Sequence, residues 1–396
     1  MNFLTDPITF LTNWLRSVFL GWGLSADLVQ FILYALGAAI LASGAMFFTI
    51  GLIWAERKIL GRVQDRLGPN RVGPWGIFQT FADMVKIFTK EYILPQGVDW
   101  VPFNLAPVLS VGSVLMLWAV IPLASTVYGV NINVGALYLI AVGAIGTLGF
   151  ILAGWGSNNK YALLGAFRAV AQMISYEVPM VISLLVPVML SESLGMNDIV
   201  QSQKIWYIFM APVPALIFFV SSIAEVGRSP FDVLEADSEL VAGFNIEYPG
   251  LKFGMFYVGD FLHGFTIAVI FSTLFLGGWR GPFVEQVPIL GVVWLMVKTV
   301  VVWFISVVIR GTMPRFRIDQ IMVLNWKFFV PLSLAAFLVI SILAKVIPAE
   351  WLAVKVVVLL ISNGIIWIIA DRILNAFLQR RERVVVMQQK LPVARP

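Results

Sequence analysis

The sequence has no cysteine, a single histidine (His263) and few charges, with Asp, Glu, Lys and Arg together making up 12% of its 396 residues. Without cysteine there is no thiolate to ligate an iron–sulfur cluster, no disulfide and no thiol nucleophile. One histidine excludes a bis-histidine haem site within the chain. Neither G-x-G-x-x-G nor G-x-x-x-x-G-K-[ST] occurs, so the loops that cradle the phosphates of dinucleotides and nucleoside triphosphates are missing too. Any part in redox chemistry therefore needs a cofactor held by a partner. The scarcity of charge is equally informative, because soluble domains carry about a quarter charged residues.

What fills the space is hydrocarbon: 60% of the residues are hydrophobic and the mean hydropathy is +0.90. The chain reads as an all-α polytopic membrane protein. Its net charge of +5 is no sign of nucleic acid, since the Lys and Arg sort by loop and form no basic stripe. A membrane helix needs about 20 mostly apolar residues. Nine segments qualify: residues 31–54, 103–124, 135–154, 161–190, 206–224, 253–278, 287–309, 328–346 and 351–373. Pro179 and Pro187 are expected to kink the fourth. Gly37, Gly44 and Gly51 on the first span, and Gly143, Gly146 and Gly149 on the third, should let neighbouring helices approach closely.

Met1-Asn2-Phe3 offers no basic region ahead of a short apolar core, so no signal peptide is expected. Instead Phe10, Leu11, Trp14, Leu15, Val18 and Phe19 recur at helical spacing beside Thr12, Asn13, Arg16 and Ser17, predicting an interfacial helix. Three divisions result: an interfacial segment over 1–30, an eight-helix core over 31–346, and an extra span with a basic tail over 347–396. Placing the loop after the first span inside puts 21 of the 27 Lys and Arg on the cytoplasmic side. By the positive-inside rule the N-terminus is outside and the C-terminus cytoplasmic.

Six of the 22 acidic residues crowd between two apolar runs: Glu225, Asp232, Glu235, Asp237, Glu239 and Glu247, offset only by Arg228. Carboxylates that lose hydration and repel one another hold protons more tightly, which suits them to proton transfer. At helical spacing Asp232, Glu235 and Glu239 share one stripe, beginning after Pro230. The alternative is an acidic loop docking to a basic partner. Glu177 and Asp260 lie inside apolar runs and should face the bundle interior, Glu177 on a polar track with Arg168, Gln172 and Tyr176. For His263, three residues after Asp260, a hydrogen bond to its neighbour is the favoured reading.

The first cytoplasmic loop joins Glu56-Arg57-Lys58 to a turn cluster, Arg66-Leu67-Gly68-Pro69-Asn70-Arg71-Val72-Gly73-Pro74. After it Ile77, Phe78, Phe81, Met84, Val85 and Phe88 recur at helical spacing opposite Gln79, Asp83, Lys86 and Lys90. This predicts an amphipathic helix on the membrane surface, suited to the mouth of a tunnel for a lipid-like substrate.

These motifs, with Ser157-Asn158-Asn159-Lys160-Tyr161, Ile174-Ser175-Tyr176-Glu177, Pro230-Phe231-Asp232, Glu239-Leu240-Val241-Ala242-Gly243, Glu247-Tyr248 and Arg315-Phe316-Arg317-Ile318-Asp319-Gln320, resemble in order those of the quinone-site membrane subunit of respiratory complex I. That family comprises the bacterial H subunits of proton-pumping NADH:quinone oxidoreductase. The resemblance, from about residue 31 to 346, implies a helix bundle whose cytoplasmic loops dock onto a peripheral arm. It implies a quinone tunnel lined by Glu56, Arg57, Asp65, Arg66, Asn70, Arg71, Phe78, Phe81, Asp83 and Lys86. The implied proton path runs through Glu177, Glu225, Asp232, Glu235, Asp237, Glu239, Glu247 and Asp260, and the arm-docking loops carry Lys160, Arg168, Arg310, Arg315, Arg317 and Asp319.

By the same resemblance the chain is enzymatic only as one member of a complex, binds no cofactor or metal itself, and takes quinone as substrate. FMN and iron–sulfur clusters sit in partners, which are the iron–sulfur and quinone-site subunits of the arm and the small and antiporter-like membrane subunits. Asp237 and Asp260 stand where the family usually has Glu, and Ile318 replaces an expected Tyr. The extra span and tail favour a bacterial plasma (inner) membrane over an organelle. Two alternatives are an anchor subunit of a membrane-bound hydrogenase or ferredoxin- or deazaflavin-linked dehydrogenase, and a secondary ion transporter, against which the absence of an inverted repeat counts.

Overall fold

In the computed structural model the described residues are 7–234, 243–348 and 351–390, with side chains described for 9–375 of these. Helices account for every regular element among them. An amphipathic α1 (Pro7–Gly21) leads into α2 (Ala26–Val63), and α3 (Gln79–Thr89) follows the turn cluster. Next come α4 (Trp100–Leu117), α5 (Gly135–Gly156), α6 (Lys160–Ser191) and two short helices, α7 (Met196–Ser202) and α8 (Tyr207–Met210). The chain continues through α9 (Pro212–Glu225), α10 (Gly250–Phe275), α11 (Leu290–Thr312), α12 (Ile318–Leu324), α13 (Val330–Val346) and α14 (Leu352–Lys390).

Among the described residues eight helices are long and apolar enough to cross a membrane, with α12 and α13 counting as one because a π-helical turn, Asn325–Phe329, joins them. The ninth expected segment, 206–224, is shorter than expected. Ala211 leaves the helical region at φ −137° and ψ 60°, where Pro212 and Pro214 remove two backbone donors, and α9 keeps 14 residues. The second span also stops early, at Leu117, because Val130 N–H donates to the Ala119 carbonyl and turns the chain back. By contrast α2 runs for 38 residues, about 57 Å at 1.5 Å each, well beyond a hydrocarbon layer of roughly 30 Å. α6 stays continuous through Pro179 and Pro187.

A proline inside a helix orphans the carbonyl four residues before it, and a helix end leaves carbonyls open as well; two asparagines answer. Asn325 donates to the Ser175 carbonyl freed by Pro179, and Asn363 donates at 3.2 Å to the Met210 carbonyl at the end of α8. Both are fully buried. They tie α6 to the turn before α13, and the broken α8–α9 pair to α14.

α10 is the central post, buried along most of its length and packed against α4 and α11. Two of the three glycines in the α5 row act as expected, while Gly143 faces only the Glu225 carboxylate, 3.9 Å from an added Cβ. A Cβ on Gly146 would stand 3.0 Å from Ser113 Oγ, and one on Gly149 would stand 3.1 Å from the Ala106 carbonyl oxygen. Gly37, Gly44 and Gly51 differ, for nothing within the described residues lies within 4 Å of a Cβ built on them. That side of α2 packs against no helix among the described residues.

Candidate functional site

The loop after α2 folds back on the helix that precedes it. Arg66 N–H donates to the Gly61 carbonyl at 2.7 Å, and Gly68 lies so close to the Arg57 carbonyl that an added Cβ would stand 2.9 Å from it. Gly73 and Gly76 adopt φ of 74° and 75°, the left-handed region open to glycine. The Phe78 ring covers Gly73, while Pro69 sits against Gly76. Trp54 Nε1 donates to the Trp75 carbonyl at 3.2 Å. This closed turn fixes where α3 begins, and so sets α3 beside α2 and α10.

Between these three helices lies a cavity of about 1310 Å³. Ile50 and Ile53 of α2, Met84 and Ile87 of α3, and Phe253, Gly254 and Val258 of α10 give it apolar walls. A charged cluster stands on its wall. Arg57 Nη1 meets Asp83 Oδ2 at 2.6 Å, Gln79 Nε2 donates to Asp83 Oδ1 at 3.4 Å, and Lys86 Nζ stands 3.8 Å away from Asp83. Tyr257 of α10 lines the cavity within electrostatic reach of Arg57. Burial alone would raise the Asp83 pKa, but the hydrogen bond and charge of Arg57 outweigh it and hold the carboxyl below the ordinary range. Farther along, Lys252 reaches Tyr92 and lies 4.3 Å over the Phe103 ring, itself stacked on Tyr248 at 4.1 Å. Burial pushes the Tyr248 phenol up.

Of the expected tunnel residues, Arg57, Asp83 and Lys86 line this cavity. Asp65, Arg66, Asn70 and Arg71 are exposed on the turn cluster, and Phe78 pairs with Phe81 at a centroid distance of 6.4 Å, both rings exposed. Glu56 points elsewhere. It is 1% exposed and accepts from Arg228 at 2.8 Å through Oε2 and from Arg310 through Oε1.

Arg228 owes its position to the end of α9. Gly227, at φ 67°, closes the helix with bonds from Gly227 N–H to the Ala224 carbonyl and from Arg228 N–H to the Ile223 carbonyl. This is the Schellman pattern, in which a left-handed residue reverses the chain. Arg228 then lies 4.8 Å over the Phe261 ring, above Gly264, and within electrostatic reach of Asp260 and His263. Its Nη2 is buried without a hydrogen-bond partner, beside a void of about 20 Å³ bounded by Ser222, Gly264 and Ser306.

Glu225 is buried at the end of α9, close enough to Glu177 of α6 for the two carboxylates to interact. Gln172 braces the same corner, donating to the Ala224 and Phe231 carbonyls at 2.7 Å each. Tyr176 donates to the Ile321 carbonyl at 3.0 Å. These two members of the expected polar track are therefore committed to holding backbone. Asp232 is half-buried, and Glu247 accepts at 2.7 Å from Asn159, the residue that caps α6. Glu235, Asp237 and Glu239, with the helical stripe expected of them, lie outside the described residues.

The expected docking residues divide as well. Lys160, Arg317 and Asp319 are exposed, and Arg168 and Arg315 half-buried. Arg310 is turned inward onto Glu56. Sequence reading passed over Tyr257 as a cavity residue and the Glu56–Arg228 pair. For the last, Val226-Gly227-Arg228 after an apolar helix was the available signal.

The family described as NADH dehydrogenase matches residues 36–341. The NADH-quinone oxidoreductase H subunit of Dehalococcoides mccartyi (strain CBDB1) is 46% identical over 283 residues, covering 72% of this chain and 79% of that one. The H subunit of Geobacillus sp. (strain WCH70) is 44% identical over 317 residues, 79% of this chain and 94% of the relative. That of Rhodospirillum centenum is 42% identical over 325 residues, 81% and 95% respectively. The chain belongs to the H-subunit family of NADH-quinone oxidoreductase. The region matching this H-subunit family runs from within α2 to within α13, so it takes in the cavity and the Glu56–Arg228 crevice and leaves out α1 and α14.

Proposed function

We propose that this chain is the membrane-arm component of a proton-pumping NADH:quinone oxidoreductase and forms, with the peripheral arm, the tunnel through which quinone reaches its reduction site. The observation that carries this reading is the cavity of about 1310 Å³ between α2, α3 and α10. Its apolar walls suit an isoprenoid tail, and the Arg57–Asp83 pair beside Tyr257 suits the passage of a quinone headgroup. Asp65, Arg66, Asn70, Arg71, Phe78 and Phe81 then stand on the loop and helix around the path.

The buried carboxylates supply the coupling. Partner chains hold the FMN and iron–sulfur clusters that deliver electrons, and this chain supplies binding, orientation and proton-holding groups. Negative charge appearing on the quinone raises the proton affinity of nearby carboxylates. Glu177 and Glu225, with Asp232, Glu247 and Asp260 and the acids of 235–239, pass that change toward the antiporter-like subunits. Lys160, Arg168, Arg315, Arg317 and Asp319 face the peripheral arm. The core over 31–346 performs this work, α1 rests at the interface, and the segment after 346 is an accessory span. The setting is a bacterial plasma (inner) membrane, N-terminus outside and C-terminus cytoplasmic, following the positive-inside rule.

Filling the cavity tests the tunnel. Ile53→Trp and Val258→Trp in the assembled complex should lower reduction of a long-tailed quinone by more than about tenfold. Electron transfer from NADH to ferricyanide, which needs only the flavin arm, should stay at the wild-type rate. Undiminished reduction of the long-tailed quinone by both variants would contradict the proposal.

A further inference from the structure

Glu56 and Arg57 are consecutive in α2, and successive helical residues diverge by about 100°. They serve different neighbours. Arg57 bonds Asp83 of α3 at the cavity, whereas Glu56 bonds Arg228, three residues after Glu225, and Arg310 of α11. One helical step thus separates the quinone station from the acidic corner.

The charges around Arg228 balance in number but not in bonding. Glu56 and Asp260 face Arg228 and Arg310, with His263 nearby. Arg228 spends Nη1 on Glu56, while Nη2 is buried without a partner and abuts a void of about 20 Å³, room for a single water. The guanidinium stacks on the Phe261 ring and lies over Gly264, where no side chain stands in its way and an added Cβ would be 3.1 Å from Cζ.

We infer that Glu56 is a positioning residue for the coupling step, holding the Arg228 guanidinium in one of two arrangements and releasing it when Arg57 responds to charge on the quinone. Held, Arg228 pairs with Glu56. Released, it moves over Phe261 toward Asp260, and the positive charge beside the Glu225 turn is redistributed. The element with two states is this side chain, and the end of α2 is what biases it. The inference rests on the proposed coupling of quinone reduction to the acids, and adds a residue that touches neither quinone nor the Glu177–Glu225 pair.

The test uses the whole complex in sealed liposomes, measuring quinone reduced and protons moved in the same sample for Glu56→Gln, Glu56→Asp, Arg228→Lys and Glu225→Gln. Protons moved per quinone reduced should fall about twofold or more in Glu56→Gln and Arg228→Lys, and return toward the wild-type ratio in Glu56→Asp. The protonated-carboxyl infrared band that Glu225→Gln removes should shift in Glu56→Gln. A merely structural role would lower the amount of assembled complex without changing the ratio or the band. A wild-type ratio in Glu56→Gln and Arg228→Lys, with a lowered ratio in Glu225→Gln, would overturn the positioning role and leave the acidic path standing. A wild-type ratio in Glu225→Gln as well would overturn the underlying coupling.

Discussion

Two ion pairs made by adjacent residues of α2 differ in almost every physical respect. Arg57–Asp83 borders an open apolar cavity with its side chains 37% and 26% exposed, while Glu56–Arg228 lies in a closed crevice at 1% and 9%. A pair that keeps water beside it contributes only about 0–1 kcal/mol and can part cheaply. A buried pair leaves an uncompensated charge when one partner goes, costing about 3–5 kcal/mol. The same helix therefore presents a soft contact to the region where a ligand passes and a stiff one to the region that holds the acids. Softness suits the tunnel, which must admit and release its substrate. Stiffness suits the region of the acids, where the Glu56–Arg228 pair holds one arrangement until charge beside Arg57 shifts it.

Arg228→Ala probes the stiff side and should have the largest effect, about 3–5 kcal/mol of stability, seen as a lower midpoint for thermal dissociation of the chain from the complex. A loss no greater than that of Asp83→Asn would erase the contrast. Next is Asn363→Ala, which strips the Met210 carbonyl of its side-chain donor at the head of α9. An unsatisfied buried carbonyl costs about 1–3 kcal/mol, read in the same melting experiment, and the change should sharpen the role of α14 in holding the helix that carries Glu225.

On the soft side, Gly76→Ala places a Cβ at φ 75°, 2.3 Å from the Pro69 carbonyl oxygen. The left-handed conformation alone costs about 1–2 kcal/mol. Because the strain falls on the loop that seats α3, it should appear chiefly as a raised KM for quinone. Asp83→Asn should be mildest, at most about 1 kcal/mol or roughly fivefold in that KM. The sign of its pH dependence follows from the lowered Asp83 pKa. The pair is intact above the ordinary aspartate value of 3.8 and is lost as pH falls through the lower folded value, and Asp83→Asn should be insensitive to this change. Quinone KM measured against pH separates the two.

The helical class, the run of apolar segments and the amphipathic α3 were all readable from spacing, because each depends on a local pattern of apolar residues. The direction in which Glu56 and Arg57 point was not. α2 is apolar around most of its circumference, so no stripe in the sequence marks which face meets α3 and which meets α11. Arg228 was visible as a lone cation among acids, but its partner is 172 positions away in sequence and its position depends on the left-handed Gly227. The early end of α4 escaped for another reason. Residues 118–124 are nearly as apolar as a helix continuing through lipid, and Pro122 with the return bonds at Ala119 and Val127 sets them apart. The break before α9 was missed in counting 206–224 as one span, although Pro212 and Pro214 mark it.

The most direct measurement is the structure of the assembled complex with a long-tailed quinone bound. The account predicts tail density between α2, α3 and α10, in contact with Met84 and Val258, with the headgroup path passing Arg57 and Tyr257. Quinone density reaching its site by another route, with this cavity filled only by phospholipid, would contradict it.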